Sequence, residues 1–535
     1  VKGTKGGFAV GGYTKSSKSA AVPFMYLTKD NYFIGHEAGV SNDGGLYNSF
    51  IGYQSGRHNT IGSKNVFLGH LTGYSNMTGF NNIFIGDSAG FANTIGRYNV
   101  YIGNLAGEKS DSGFQNIFIG ESAGQFNSTG NRNVFIGTVA GLYNTKGLMN
   151  VFIGNWAGGL NDDGNSNVMI GSYAGLRTKS GSNNVFLGTS AGRGNSSGSD
   201  NVFLGTEAGR ENSSGGDNIF IGRSAGYRND TCFSNIFIGN QSGYNTNSAL
   251  ENVFVGNRTG FENINGLSNT FIGHESGHFN VSGSSNVFIG PYAGHLSAEG
   301  NNNIFLGYSS ASNLTNGNNN LFLGSFSGNN AQESHNNIFM GYESGANNIR
   351  GYDNIFLGNQ AGWANDSGAY NVFIGHQSGN NNIGGMDNVF MGSGSGFHNT
   401  SGTNNIFIGS GSCHHSKDCF GNVLIGTQAG HMTDSSYYNV FVGQEAGWNT
   451  LSGNRNSFFG ARSGRENTGG IDNTFLGRTS GRFNTEGSEN TFVGSSAGFR
   501  NTMGERNVAI GRMAGLDNDS GNGNVFIGYM ARAKS

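Results

Sequence analysis

From Asn31 onward the chain repeats one pattern of polar and apolar positions every 17 residues, as NVFIGTVAGLYNTKGLM at 133–149 followed by NVFIGNWAGGLNDDGNS at 150–166 shows. A polar Asn opens each copy, an aliphatic, aromatic, aliphatic triplet follows, and Gly closes the run. The opening Asn recurs at Asn31, Asn48, Asn65, Asn82, Asn99 and on to Asn524, with no insertion or deletion in 30 copies. The third position is Phe in 26 of them, the exceptions being Tyr101, Met169, Leu424 and Ala509. The fifth is always Gly, the eighth always Ala, Ser or Thr, and the ninth is Gly except at Ala311, Cys413 and Arg532. The sixth, seventh, tenth and eleventh positions vary freely and are expected to face water.

Seventeen residues are too few for a helix-pair repeat. Val-Phe-Ile and Ile-Phe-Ile are strand formers, and the Asn and Gly that bound them are turn residues. The pattern therefore predicts an all-β fold, a parallel β-solenoid (β-roll) of 30 coils of 17 residues over 31–535, with a lead-in or cap at 1–30. Each coil is expected to hold a strand over its first five positions, a second short strand to about the tenth, and a return turn at the twelfth to fifteenth. In-register stacking at about 4.8 Å would give a rod roughly 140 Å long, in which like residues form ladders. The opening Asn residues are expected to hydrogen-bond to one another along the axis, the plainer alternative being that each simply starts its strand.

Side chains alternate along a strand, so the second and fourth positions share one face and the third takes the other. Both faces are apolar here. If the aromatic column (Phe33, Phe50, Phe67, Phe84, Phe118, Phe135, Phe152, Phe186, Phe203, Phe220 and onward) points out of the coil, it makes a stripe far larger than soluble monomers tolerate. Sister chains would then cover it, and a homotrimer about a central axis is the expected closure. The alternative is that Phe fills a roomier coil while the second and fourth positions face partly outward.

Composition narrows the class. The 96 Gly, 2 Pro and 12% charged residues are not globular usage, yet 41 Phe and 20 Tyr argue against disorder. A net charge of −3 offers nucleic acid no electrostatic footing, and no apolar run is long enough to span a membrane. Val1 rather than Met leads us to expect a processed chain or part of a longer one. The array also lacks evident capping repeats, so continuation into other domains or end-to-end stacking into a filament is expected.

The Asn-Val-Phe-Ile-Gly-x-x-Ala-Gly frame resembles the Asn-Ser-Val-Ala-Ile-Gly-x-x-Ser repeat of trimeric autotransporter adhesin heads. It is more similar still to the Asn-x-Phe-Ile-Gly-x-x-Ala-Gly-x-x-Asn-x-x-Gly arrays of large bacterial surface and fibre proteins, and the lead-in at 5–35 resembles the segment before such arrays. The resemblance implies a trimeric β-roll at a cell surface or in a phage-like fibre. The adhesin repeat is shorter, with small Ala where this chain has Phe.

No residues of catalytic type converge within the frame, so no enzyme and no cofactor are expected. The 12 His lie outside the frame positions and read as solvated. Within SCHHSKDC, Cys413 and Cys419 replace frame glycines on either side of the return turn. A cross-turn disulfide is the simpler reading, which would imply an oxidising, extracellular setting; a metal site with His414, His415 and Asp418 is the alternative. Cys232 has no obvious partner nearby. The Gly-Gly-x-Gly-x-Asp signature of calcium-binding β-rolls is absent, so no required ion is expected. Trp156, Trp363, Trp448, Tyr227 and Tyr244 at outer positions are candidates for stacking on sugars, whereas the absence of regular Thr arrays speaks against ice binding. The expected function is a structural extracellular fibre or adhesin shaft. A glycan-, host-surface- or ice-recognising module is the alternative.

Overall fold

In the computed structural model the chain is an all-β parallel β-solenoid of about 29 turns at 17-residue spacing, and no helix occurs among the described residues, 8–11 and 23–532. The thirtieth copy stops at its twelfth position, which accounts for one turn fewer than the number of copies. The chain divides into two compact units, Val1–Leu267 and Ser268–Ser535, each described here in its own terms.

In the first unit, β1 (Phe8–Gly11) pairs antiparallel with β2 (Pro23–Leu27), and β2 pairs antiparallel with β3 (Tyr32–Ile34). β2 thus covers the outer edge of the first coil, and Tyr26 stacks on Phe33 at 6.0 Å. The remainder of the lead-in lies outside the described residues. From β3 to β16 (Val253–Val255) one three-residue strand per repeat pairs in parallel with the next, like residue opposite like, as Phe33 faces Phe50 and Val134 faces Val151. The second unit runs the same way from β17 (Thr270–Ile272) to β32 (Val525–Ile527).

The strand is shorter than the pattern suggested, and the second strand does not form. Positions six to eleven are successive turns, because the seventh and ninth positions take left-handed backbone, as at Val139 (φ 62°) and Gly141 (φ 59°). Left-handed φ at a β-branched Val is costly. It is held by the axial bond from Val139 N to Glu121 O, 2.9 Å. Axial pairing therefore continues through the turns without a regular ladder.

The Phe residues point into the coil. Phe50, Phe67, Phe84, Phe118, Phe135, Phe152, Phe186, Phe203 and Phe220 are wholly inaccessible to solvent and Phe33 is 4% exposed, so the expectation that this column faces an oligomer axis is corrected. The second and fourth positions take the outside, with Val66 41%, Leu68 44% and Ile83 40% exposed. The reason lies on the opposite wall of the coil. A Cβ at Gly141 would stand 2.5 Å from the Phe135 ring, so the ninth-position Gly and the small eighth-position residue leave the space that a ring fills. Neighbouring rings stack at 4.8 Å for Phe118 on Phe135 and for Phe135 on Phe152, within 5° of parallel. At Ala311, which departs from Gly at the ninth position, the stack opens to 5.2 Å and 24° between Phe305 and Phe322.

Candidate functional site

The repeating site is the corner where the opening Asn meets the return turn. Asn48 N donates to Asn31 Oδ1, Asn65 N to Asn48 Oδ1 and Asn82 N to Asn65 Oδ1, each at 2.9 Å, and Asn99 N to Asn82 Oδ1 at 3.0 Å. Each amide nitrogen meanwhile crosses its own coil, as Asn48 Nδ2 does to Gly62 O at 2.9 Å. One side chain therefore fastens the next coil's backbone with its oxygen and its own return turn with its nitrogen. Such bonds contribute about 1 kcal/mol each, but leaving either buried partner unpaired costs about 1–3 kcal/mol. That asymmetry explains why no other residue stands at this position.

The amide-to-amide ladder expected of the opening Asn residues occurs most cleanly at the twelfth position, which the sequence reading treated only as a turn. Asn76 Nδ2 donates to Asn59 Oδ1 at 2.6 Å and Asn93 Nδ2 to Asn76 Oδ1 at 2.7 Å, all buried. The signal was the recurrence of Asn there in most copies. Where this ladder breaks, another frame residue can change with it: Tyr101 replaces Phe in the coil that carries Ser110, and the two hydroxyls lie 2.8 Å apart in the interior. Burial raises the Tyr101 phenol above its usual value, against the pull of Ser110 and Asn116.

Cys413 and Cys419 face each other inside the coil as thiols, Sγ to Sγ 3.8 Å, with Ser416 Oγ donating to Cys419 Sγ at 2.7 Å. Both are wholly buried, and burial pushes the Cys413 thiol well above its ordinary value. Cys232 is also buried, donates to Thr246 O at 3.3 Å, and is pushed up to about 12, chiefly by burial. His414 and His415 stand on the outer surface instead, away from the thiols' interior side. A mixed sulfur and imidazole site is therefore not assembled. Burial, and then the imidazoles of His415, His431 and His398, lower His414 to about 4.

Outside, the variable residues form short axial runs of like chemistry. Tyr227, Tyr244 and Phe261 stack at 4.9 Å intervals, and Tyr74 stacks on Phe91 at 4.9 Å. Trp448 stacks on His431 at 5.7 Å and lies under Arg465. Glu445 is partly buried, which alone would raise its pKa, yet hydrogen bonds from Arg465 and Arg462 hold it below the ordinary value. The concave features are furrows between such side chains, one bordered by Glu211, Arg228, Asp230 and Glu262. That furrow holds carboxylates and an arginine but no Ser, Thr, Cys or His beside them to serve as a nucleophile and base pair for acyl transfer.

The fold defines the chain as a tandem-repeat parallel β-solenoid. No family model matches it, and no curated protein is similar enough to stand as a relative.

Proposed function

We propose that the protein is a structural, extracellular shaft: a stiff, repetitive β-solenoid segment of a cell-surface or phage-like fibre. The observation that carries this reading is the continuity of the interior. Through each unit the strand pairing and the opening-Asn ladder run from coil to coil without a gap, while the sixth, seventh, tenth and eleventh positions on the outside vary freely. Bending such a stack would break backbone bonds and ring contacts in every coil it crosses, so the construction resists bending.

Self-association belongs to the same proposal, with a different surface from the Phe column. The outward second and fourth positions form two parallel, mainly aliphatic columns along each unit, many of their side chains more than a third exposed, and a contiguous apolar face of this kind marks an interaction surface. Three copies that turn this face to a common axis would bury it, as a homotrimer. Light scattering on the purified chain tests this: three chains per particle are expected, and a monodisperse monomer at micromolar concentration would sink the trimer while leaving the shaft untouched. Electron microscopy tests the shaft itself, which requires straight, uniform rods; flexible or collapsed particles would count against it.

A second reading has its own observation. The Tyr227, Tyr244, Phe261 stack offers three ring edges in register with the phenol oxygens of the two Tyr, a mixed apolar and hydrogen-bonding strip of the kind that can meet a sugar. Glycan-array binding that disappears in Tyr227→Ala and Tyr244→Ala variants would support recognition of a surface glycan by the outer positions.

A further inference from the structure

We propose that His398, His414, His415 and His431 form a binding site for one divalent late transition-metal ion of the zinc, nickel or copper(II) class on the outer surface of the second unit. The sequence spreads these residues over 34 positions, but the 17-residue period brings them together. His398 and His415 are one period apart at the eleventh position, and His414 and His431 are one period apart at the tenth. Adjacent columns on three successive coils thus make a four-imidazole patch. Ring centroids are 4.6 Å apart for His414 and His415, 5.0 Å for His415 and His431, 5.4 Å for His414 and His431, and 5.5 Å for His398 and His415. One ring nitrogen from each of His398, His414 and His415 lies within 4.8 Å of the others. Small rotations about χ1 and χ2 would close that to chelating distance.

Three further features point to an ion. His414 Nδ1 is buried and has no hydrogen-bond partner. A buried, unsatisfied imidazole nitrogen costs free energy that coordination would recover. His431 Nδ1 lies 3.0 Å from Gly411 O, which takes its proton, fixes the ring and leaves Nε2 with its lone pair, the arrangement usual for ligating His. Asn381 Nδ2 lies 3.2 Å from His398 Nδ1 and donates to it, so His398 would ligate through Nε2 only after that nitrogen gives up its proton or the Asn381 amide turns over. The patch is bracketed by aromatic rings, with Phe397 stacked on His414 at 5.0 Å and Trp448 on His431 at 5.7 Å.

The donor set selects the ion. Imidazole alone suits zinc, nickel and copper, whereas calcium and magnesium require oxygen ligands, and no carboxylate belongs to this group. The thiols of Cys413 and Cys419 are enclosed inside the coil, on the other side of the wall. Bound there, the ion would tie three coils together where the interior departs from the frame: Leu424 interrupts the ring stack, and Ser416 and Thr433 interrupt the twelfth-position amide ladder.

The test is a zinc titration of the full chain against a chromophoric chelator, repeated with Co2+ to read the ligand type from its visible spectrum. One ion per chain is expected, with a spectrum lacking sulfur-to-metal charge transfer. His414→Gln and His415→Gln should each lower the affinity at least about tenfold, and Cys413→Ser with Cys419→Ser should leave it unchanged. The His substitutions lie at freely varying outer positions, so their metal-free melting curves should match the parent. Zinc binding that is equally tight in the doubly substituted His variant, the absence of a saturable site at one ion per chain, or a thiolate spectrum would overturn the proposal.

Discussion

The coils that open at Asn48, Asn65 and Asn82 and those that open at Asn405 and Asn422 have the same outline and different fillings. In the first group Phe50, Phe67 and Phe84 stack at 4.7 and 4.9 Å, and Asn59, Asn76 and Asn93 hand amide bonds along the axis. In the second, Cys413, Ser416 and Cys419 replace the ninth, twelfth and fifteenth residues of one coil, and Leu424, Thr433 and Ser436 alter the next. The opening-Asn bond nevertheless continues, from Asn422 N to Asn405 Oδ1 at 3.1 Å and from Asn439 N to Asn422 Oδ1 at 2.9 Å. The strand, the opening Asn and the fifth-position Gly are therefore the indispensable frame. The ring and the second amide ladder are fillings, and each can change: Ser416 stands in a coil that keeps Phe407, whereas Leu424 and Thr433 change in one coil.

The largest effect should come from the shared frame and be equal in both groups. Gly69 has φ 142°, and a Cβ there would stand 2.3 Å from Gly86 O; at Gly426, φ is 135° and the corresponding distance to Gly443 O is 2.4 Å. Backbone strain and axial overlap together should make Gly69→Val and Gly426→Val each cost about 3 kcal/mol or more. Denaturant unfolding gives the total, and hydrogen exchange should show protection lost in the coils on either side. A large difference between the two variants would mean that the frame is not common to both groups.

Next in size, Phe67→Ala should cost about 3–5 kcal/mol, because it leaves a ring-sized void and ends two stacking contacts worth about 0.5–1.5 kcal/mol each. Leu424→Ala removes less volume and no ring contact, so its loss should fall toward the lower end of the about 2–5 kcal/mol range for such truncations. Chemical denaturation of the two single variants decides this. Equal losses would show that Leu424 is as tightly enclosed as the rings it replaces.

The amide ladder separates the groups more sharply, though the energies are smaller. Asn76→Ala strips Asn93 Nδ2 of its acceptor and Asn59 Oδ1 of its donor, so a loss of about 1–3 kcal/mol is expected. The buried Thr433 hydroxyl in the irregular coil has no partner. Thr433→Val, which keeps the shape and removes the unsatisfied oxygen, should be neutral or stabilising by up to about 1 kcal/mol. A destabilised Thr433→Val would reveal a bond to the hydroxyl.

Much of this was legible in the 17-residue period. Constant spacing without a single indel required stacked coils, and Asn and Gly at fixed places located the corners. The direction of Phe was not legible from the strand alone, since alternation is silent when both faces are apolar. The deciding residue was six positions away: the ninth-position Gly, as Gly141 is for Phe135, is small because a ring lies against it. Reading Gly as a turn residue hid its role as the wall of a cavity. The His patch was missed for a related reason. The metal alternative joins His414 and His415 to Cys413, Cys419 and Asp418, their neighbours in sequence, and not to His398 and His431, which the period places beside them.

The smallest effect concerns the three thiols and sets the irregular coils against Cys232. Cys413 and Cys419 lie 3.8 Å apart and need only a side-chain adjustment to join, so a mild oxidant should remove two hydrogens per chain, read as a loss of about 2 Da by intact mass. Cys232 has neither of the other two thiols near it in sequence or within its unit, so the oxidant should form no disulfide there; buried and pushed up to about 12, it should also resist iodoacetamide at pH 8 and label fully only in denaturant. The same shift fixes a pH dependence. Between the ordinary thiol value and about 12 the folded chain holds a proton that the unfolded chain has released, so stability is complete below about pH 9 and falls as pH rises toward 12. Cys232→Ala should flatten that alkaline decline without changing the melt at pH 7 by more than the small loss of the sulfur's packing. A decline unchanged in Cys232→Ala would assign it to the buried Cys413 thiol and Tyr101 phenol, both raised by the same burial.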